Sequence, residues 1–182
     1  MELKGIDVFS GQAIGIEVEQ ETIAGVERIP GEKGLPYLSP GFIDIQVNGY
    51  RGSDYSGADF GPEQLESIVA DLAVSGTTRH FPTIITGPHA RILKNLSLIA
   101  EVVGASAELR AIIPGIHLEG PYISAEDGPR GAHDPEFVRD PDWEEFSAWQ
   151  EAARGQPLHP PRQRQPRPDT PAEKLYLGAT GL

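Results

Sequence analysis

The sequence predicts an α/β protein built on a parallel sheet. Three observations carry this. Short β-branched apolar runs alternate with amphipathic stretches of helical length. The spacing from one run to the next leaves room for one crossover helix each time. Glycine and proline punctuate the changes of pattern. A right-handed crossover makes such a sheet either an open doubly wound sheet or an arc of a barrel. Either way, functional groups gather where the strands end.

Residues 2–29, ELKGIDVFSGQAIGIEVEQETIAGVERI, are short β-type runs broken by glycines, the pattern of hairpins in a small sheet. A turn-rich link, PGEKGLPYLSPG, leads to FIDIQV, a run expected as a buried strand. It ends in Asn-Gly and a glycine-dotted loop. Residues 62–75 read as a helix, with Pro62 in the first turn and apolar residues at Leu65, Ile68, Val69 and Leu72. Gly76 suits its stop. Residues 77–86 read as a second strand, 88–103 as a second helix and 111–120, AIIPGIHLEG, as a third strand. A further helix is expected over Asp142–Ala153.

Composition divides the chain. Its 182 residues carry a net charge of -12, which argues against nucleic acid or an anionic membrane as the main partner. Residues 154–182 hold five basic and two acidic residues, +3, so residues 1–153 carry -15. Residues 157–171, PLHPPRQRQPRPDTP, include six prolines and little that is apolar. The expected division is 1–39, 40–153 and an aberrant, disordered Pro/Arg-rich tail at 154–182. No apolar run reaches membrane-spanning length, no signal-peptide pattern opens the chain, and cysteine is absent. These features fit the cytoplasm.

The chemistry concentrates at three strand ends, Gln46–Asn48, Pro82–Thr86 and His117–Glu119. Gln46 and Asn48 share a strand face and offer two amides, as hydrogen-bonding groups or weak oxygen ligands. Glu119 follows an apolar run directly, in GIHLEGPYISAEDGPRGAHDPEF (115–137). A carboxylate there must be paired, hydrated or metal-bound, because burying it alone is costly; a salt bridge and a metal ligand are equally open. His133 sits in a glycine-flanked loop, to reach a ligand from above or to be solvated, and His117 alternates with Glu119 on one face, as a ligand or as a hydrogen-bond partner behind one. His80 reads as packing and His89 as solvated. His159 receives no role. Phosphate loops, nucleophile elbows and His-Glu-x-x-His stretches are absent.

The blocks LSPGFIDIQVNGYRGSDYS, TTRHFPTIIT and His-Leu-Glu-Gly-Pro followed by Gly-Ala-His-Asp-Pro resemble N-acetylglucosamine-6-phosphate deacetylases of the amidohydrolase superfamily, over residues 1–150. The resemblance implies a partial (β/α)8 TIM-type barrel of about three βα units in 40–153, preceded in 1–39 by part of a small β-sandwich. FIDIQV, RHFPTIIT and IPGIHLEG would be its first three strands. It implies that Glu119 binds one divalent metal ion, zinc or iron. Ala132 and His133 would contact the amino-sugar phosphate substrate, with Gln46 and Asn48 beside the metal. Having Gln46 and Asn48 where many superfamily members carry His-x-His favours one metal over two.

The implied reaction is metal-assisted hydrolysis of N-acetylglucosamine 6-phosphate to glucosamine 6-phosphate and acetate. The aspartate general base and two metal-binding histidines would lie beyond the end of this chain, and the full-length family would be homo-oligomeric. The abrupt change near Gln156 is what out-of-frame translation of GC-rich DNA would give. The expectation is therefore a cut-short deacetylase without useful activity of its own. The alternative is a non-enzymatic chain that binds a sugar phosphate or a protein partner.

Overall fold

The computed structural model describes residues 1–159. They form two compact units, Met1–Gly41 and one that begins at Phe42. The expected tail lies outside the described residues from 160 onward. No helix among the described residues is long and apolar enough to cross a membrane.

The first unit is a four-stranded sheet. Strands β1 (Glu2–Asp7), β2 (Ala13–Glu19) and β3 (Thr22–Arg28) form an antiparallel meander. Strand β4 (Tyr37–Leu38) pairs parallel to β1, giving the order β3-β2-β1-β4. The β1–β2 turn is tied by Asp7, whose carboxylate accepts from the Phe9 and Ser10 N–H groups and the Ser10 hydroxyl. Those bonds, led by the hydroxyl, hold the Asp7 carboxyl below its ordinary value. The β2–β3 turn places Gln20 and Glu21 at φ 47° and 64°, the two left-handed positions that match strand twist in a tight hairpin. Phe9, Ile23, Val26 and Tyr37 are exposed.

The second unit is a mixed α/β structure on a parallel sheet. Its sheet runs β10-β9-β8-β5, with β5 at Phe42–Val47, β8 at Thr77–Ile85, β9 at Ile116–Glu119 and β10 at Leu158–His159. All three pairings are parallel. Between β5 and β8 the chain makes a two-residue ladder, β6 (Gly49–Tyr50) with β7 (Ser53–Asp54), and helix α1 (Pro62–Val74). Helices α2 (His89–Ala105) and α3 (Ala107–Ile112) connect β8 to β9, and α4 (Trp143–Ala152) precedes β10.

Local chemistry explains these bounds. Pro62 starts α1 and Glu63 faces its positive end. Leu65, Ile68 and Leu72, on one helical stripe, are buried. Gly76, at φ 89°, carries the chain on into β8. Asp142 caps α4 by accepting from the Glu145 N–H at 2.9 Å.

The expected strand at 111–120 is shorter in the structure. Ser106 accepts from the Leu109 N–H at 3.2 Å and caps α3, so Ala111 and Ile112 are helical and β9 begins only after Pro114. FIDIQV forms a strand, but an exposed one: Phe42, Ile43 and Ile45 are 66%, 60% and 71% exposed. Among the described residues β5 is the sheet edge, paired on one side alone. The sheet also reaches Leu158–His159, inside the segment that composition set apart as 154–182.

The core joins Ile84, Ile116 and Leu118 of the sheet to Leu96, Ile99 and Val103 of α2 and Trp149 of α4. Strand alternation does the sorting. Ile116 and Leu118 are buried, while His117 and Glu119, pointing the other way, are half-buried. His80 is fully buried, with Nε2 2.8 Å from the Tyr55 hydroxyl. Burial lowers its pKa to about 4, partly opposed by Asp44. This is the packing role its place in the strand suggested.

Candidate site at the strand ends

The ends of β5, β8 and β9 bring four polar side chains together. Glu119 is the last residue of β9, and β8 runs beside it in register, Ile85 opposite Glu119. The next residue of β8's chain, Thr86, is buried. Asn48 follows β5 and donates its side-chain N–H to Glu119 Oε2 at 3.3 Å. His133 reaches in from the loop after β9. Its Nδ1 lies 2.9 Å from Thr86 Oγ1 and its Nε2 3.6 Å from Glu119 Oε1. Each oxygen of the Glu119 carboxylate is thus faced by one nitrogen-bearing side chain.

Two features let the loop approach this closely. Gly120 has φ 89°, and a Cβ there would overlap Thr86 Oγ1. Arg130 donates from Nη1 to the His133 carbonyl at 2.7 Å and pairs with Asp127, which braces the loop beneath the imidazole.

Farther along, the loop is pinned to α4. Glu145 accepts from Arg139 Nε at 2.9 Å and Nη2 at 2.6 Å, and from the Tyr122 hydroxyl at 2.8 Å. Burial raises the Glu145 pKa, but these bonds outweigh it and the net shift is downward. Burial and that carboxylate push the Tyr122 phenol well above its ordinary value. Tyr122 stacks on Trp149 at 5.5 Å, with the Arg139 guanidinium 5.8 Å from the indole ring.

The structure sorts the residues singled out in the sequence. Glu119, Asn48 and His133 meet. Gln46 is exposed, and its backbone N–H goes to Asp44 at 3.1 Å. Ala132 is exposed beside His133. His117 makes no hydrogen bond to Glu119 among the described residues; burial depresses its pKa, against the pull of Glu119. His89 is not simply solvated as expected: its Nδ1 lies 3.0 Å from Glu145 Oε1 and 3.1 Å from the Trp149 indole nitrogen, and can serve one at a time. Sequence reasoning missed Thr86 and Gly120 as members of the site. Their signal was present, since Thr86 follows a strand directly and Gly120 follows Glu119.

A divalent metal needs three or more protein ligands as a rule. Among the described residues no group of three His, Cys, Asp or Glu side chains is placed to hold one. One carboxylate with an imidazole beside it does not by itself make such a set.

No family model matches the chain. Curated relatives match its N-terminal part. N-acetylglucosamine-6-phosphate deacetylase of Bacillus subtilis is 38% identical over 120 residues, 65% of this chain and 29% of the relative. The Homo sapiens protein of the same name is 39% identical over 103 residues, 56% of this chain and 24% of the relative. The chain therefore spans less than a third of the length of these relatives. Among solved structures, N-acetyl-D-glucosamine-6-phosphate deacetylase from Mycobacterium smegmatis superposes with a TM-score of 0.69 at 26% identity, covering 86% of this chain and 42% of that one. The Thermotoga maritima N-acetylglucosamine-6-phosphate deacetylase gives 0.65 at 27% identity, covering 81% and 39%. Curated homologues and solved structures named N-acetylglucosamine-6-phosphate deacetylase thus cover the N-terminal part of this chain.

Proposed function

We propose that these residues form the N-terminal part of a metal-dependent hydrolase that deacetylates N-acetylglucosamine 6-phosphate. The observation that carries this is the Glu119 cluster, in which Asn48 and His133 converge on a strand-end carboxylate from two other segments. The names of the relatives support it. So does a Mycobacterium smegmatis structure of the same enzyme in complex with N-acetyl-D-glucosamine-6-phosphate.

In this reading β5, β8 and β9 are the first three strands of a (β/α)8 barrel, and Met1–Gly41 holds part of a small β-sandwich. Glu119 supplies one ligand to a single divalent ion, zinc or iron, which activates water and polarises the acetamide carbonyl when bound. The remaining ligands and the aspartate base lie outside residues 1–159. Asn48 holds the Glu119 carboxylate in place. Ala132 and His133 receive the sugar phosphate, the exposed Ala132 backbone offering an N–H and His133 an imidazole N–H. The enzyme would act in the cytoplasm as a homo-oligomer.

Binding tests this reading without requiring turnover. Titrating N-acetylglucosamine 6-phosphate into isotope-labelled chain should shift the Ala132 amide and the His133 ring signals in NMR spectra. The loop's pre-formed bonds argue for weak but site-confined binding. Absence of any shift at these residues up to about 10 mM ligand, weaker than about 3 kcal/mol of binding, would overturn it.

A further inference from the structure

We propose that Thr86 is a positioning residue, whose hydroxyl donates to His133 Nδ1 and so keeps the imidazole proton on Nε2, the nitrogen facing Glu119. For the neutral imidazole, the 2.9 Å contact between Thr86 Oγ1 and Nδ1 allows two arrangements. If Nδ1 carried the proton and donated to Thr86, Nε2 would be a bare acceptor 3.6 Å from the Glu119 carboxylate oxygen. Two acceptors would then face each other in a half-buried site. If Thr86 donates, Nε2–H points at Glu119 and each group has its complement. The hydroxyl makes no other side-chain hydrogen bond among the described residues, so its proton is free for Nδ1.

The position of Thr86 suits the task. It is buried directly after β8, and Gly120 leaves its hydroxyl the room that a Cβ would take. The Thr86 contact thus joins the second strand to the loop after the third, across 47 residues of sequence. A fixed tautomer matters for the proposed function, on which this inference rests: His133 then offers its N–H, rather than a lone pair, toward the carboxylate and anything bound beside it.

The test is the ring-nitrogen spectrum of His133 in the labelled full chain, recorded at alkaline pH, where the spectrum itself shows the ring to carry a single proton. The unsubstituted chain should show Nε2 protonated, with Nδ1 bare but displaced from the position of a free acceptor nitrogen. Thr86→Val should move Nδ1 to the free-acceptor position, and Thr86→Ser should restore it. A protonated Nδ1 in the unsubstituted chain would overturn the proposal whether or not the variants fold. So would an Nδ1 signal that ignores Thr86→Val in a folded variant. Adding N-acetylglucosamine 6-phosphate separates the two claims. The expected nitrogen pattern without a ligand response removes the substrate and leaves the Thr86 role standing. A ligand response with a protonated Nδ1 does the reverse.

Discussion

Trp149→Ala is expected to destabilise the second unit by about 3–5 kcal/mol, the usual cost of deleting a fully buried large aromatic side chain. Trp149 has no exposed surface. Its ring fills the core, stacks on Tyr122 and lies 5.7 Å from the His89 ring. Removing it leaves a cavity and frees the Tyr122–Glu145–Arg139 group that fastens the loop after β9. Domains of this size have about 5–15 kcal/mol of stability in all, so the loss is a large share of the total and near the low end of that range would unfold a sizeable fraction of the chains. Urea denaturation followed by circular dichroism measures the loss. A change under about 1 kcal/mol would mean that α4 is not packed as described.

Gly120→Ala is expected to act on the site itself. The residue sits at φ 89°, where a side chain costs about 1–3 kcal/mol of backbone strain. The added Cβ would also overlap the Thr86 hydroxyl. Thr86 follows a central strand and is buried, so the loop must give way. His133 would withdraw from Thr86 and from Glu119 together. The expected result is a chain that stays folded, loses stability by this amount, and shows His133 ring signals like those of an exposed histidine. Unchanged His133 signals would show that the approach of Gly120 to Thr86 is not what places the imidazole.

The sequence made the parallel arrangement legible because its signals are local. The stripe Leu65, Ile68, Leu72 and the stop at Gly76 can be read without knowing the fold. Glu119 stood out because a carboxylate after an apolar run asks for a partner, and His133 because it lies in the Gly-Ala-His-Asp-Pro block that carries the family resemblance. Their meeting was not legible, since it depends on how far the loop folds back, and that rests on Gly120 and Arg130. Thr86 was given no role of its own, although the strand end Pro82–Thr86 was marked, because a threonine at the end of a β-branched run looks like part of the strand. From its own residues β5 reads as a buried strand, and it is exposed because an open arc of a few strands leaves its edge unpaired. Its composition is that of a covered strand, but burial depends on what lies beside it, and the described residues leave that edge open. His89 was misread because its partners, Glu145 and Trp149, are 56 and 60 residues away.

The central claim is that Glu119 and its neighbours belong to an amino-sugar phosphate deacetylase site. The most direct test is acetate release from N-acetylglucosamine 6-phosphate by a hybrid. It would join residues 1–153 of this chain to the part of the Bacillus subtilis relative that follows its matched stretch. The account predicts that the hybrid releases acetate when supplied with a divalent metal and that Glu119→Gln abolishes the release. A folded hybrid that releases none, or one whose release survives Glu119→Gln, would contradict it.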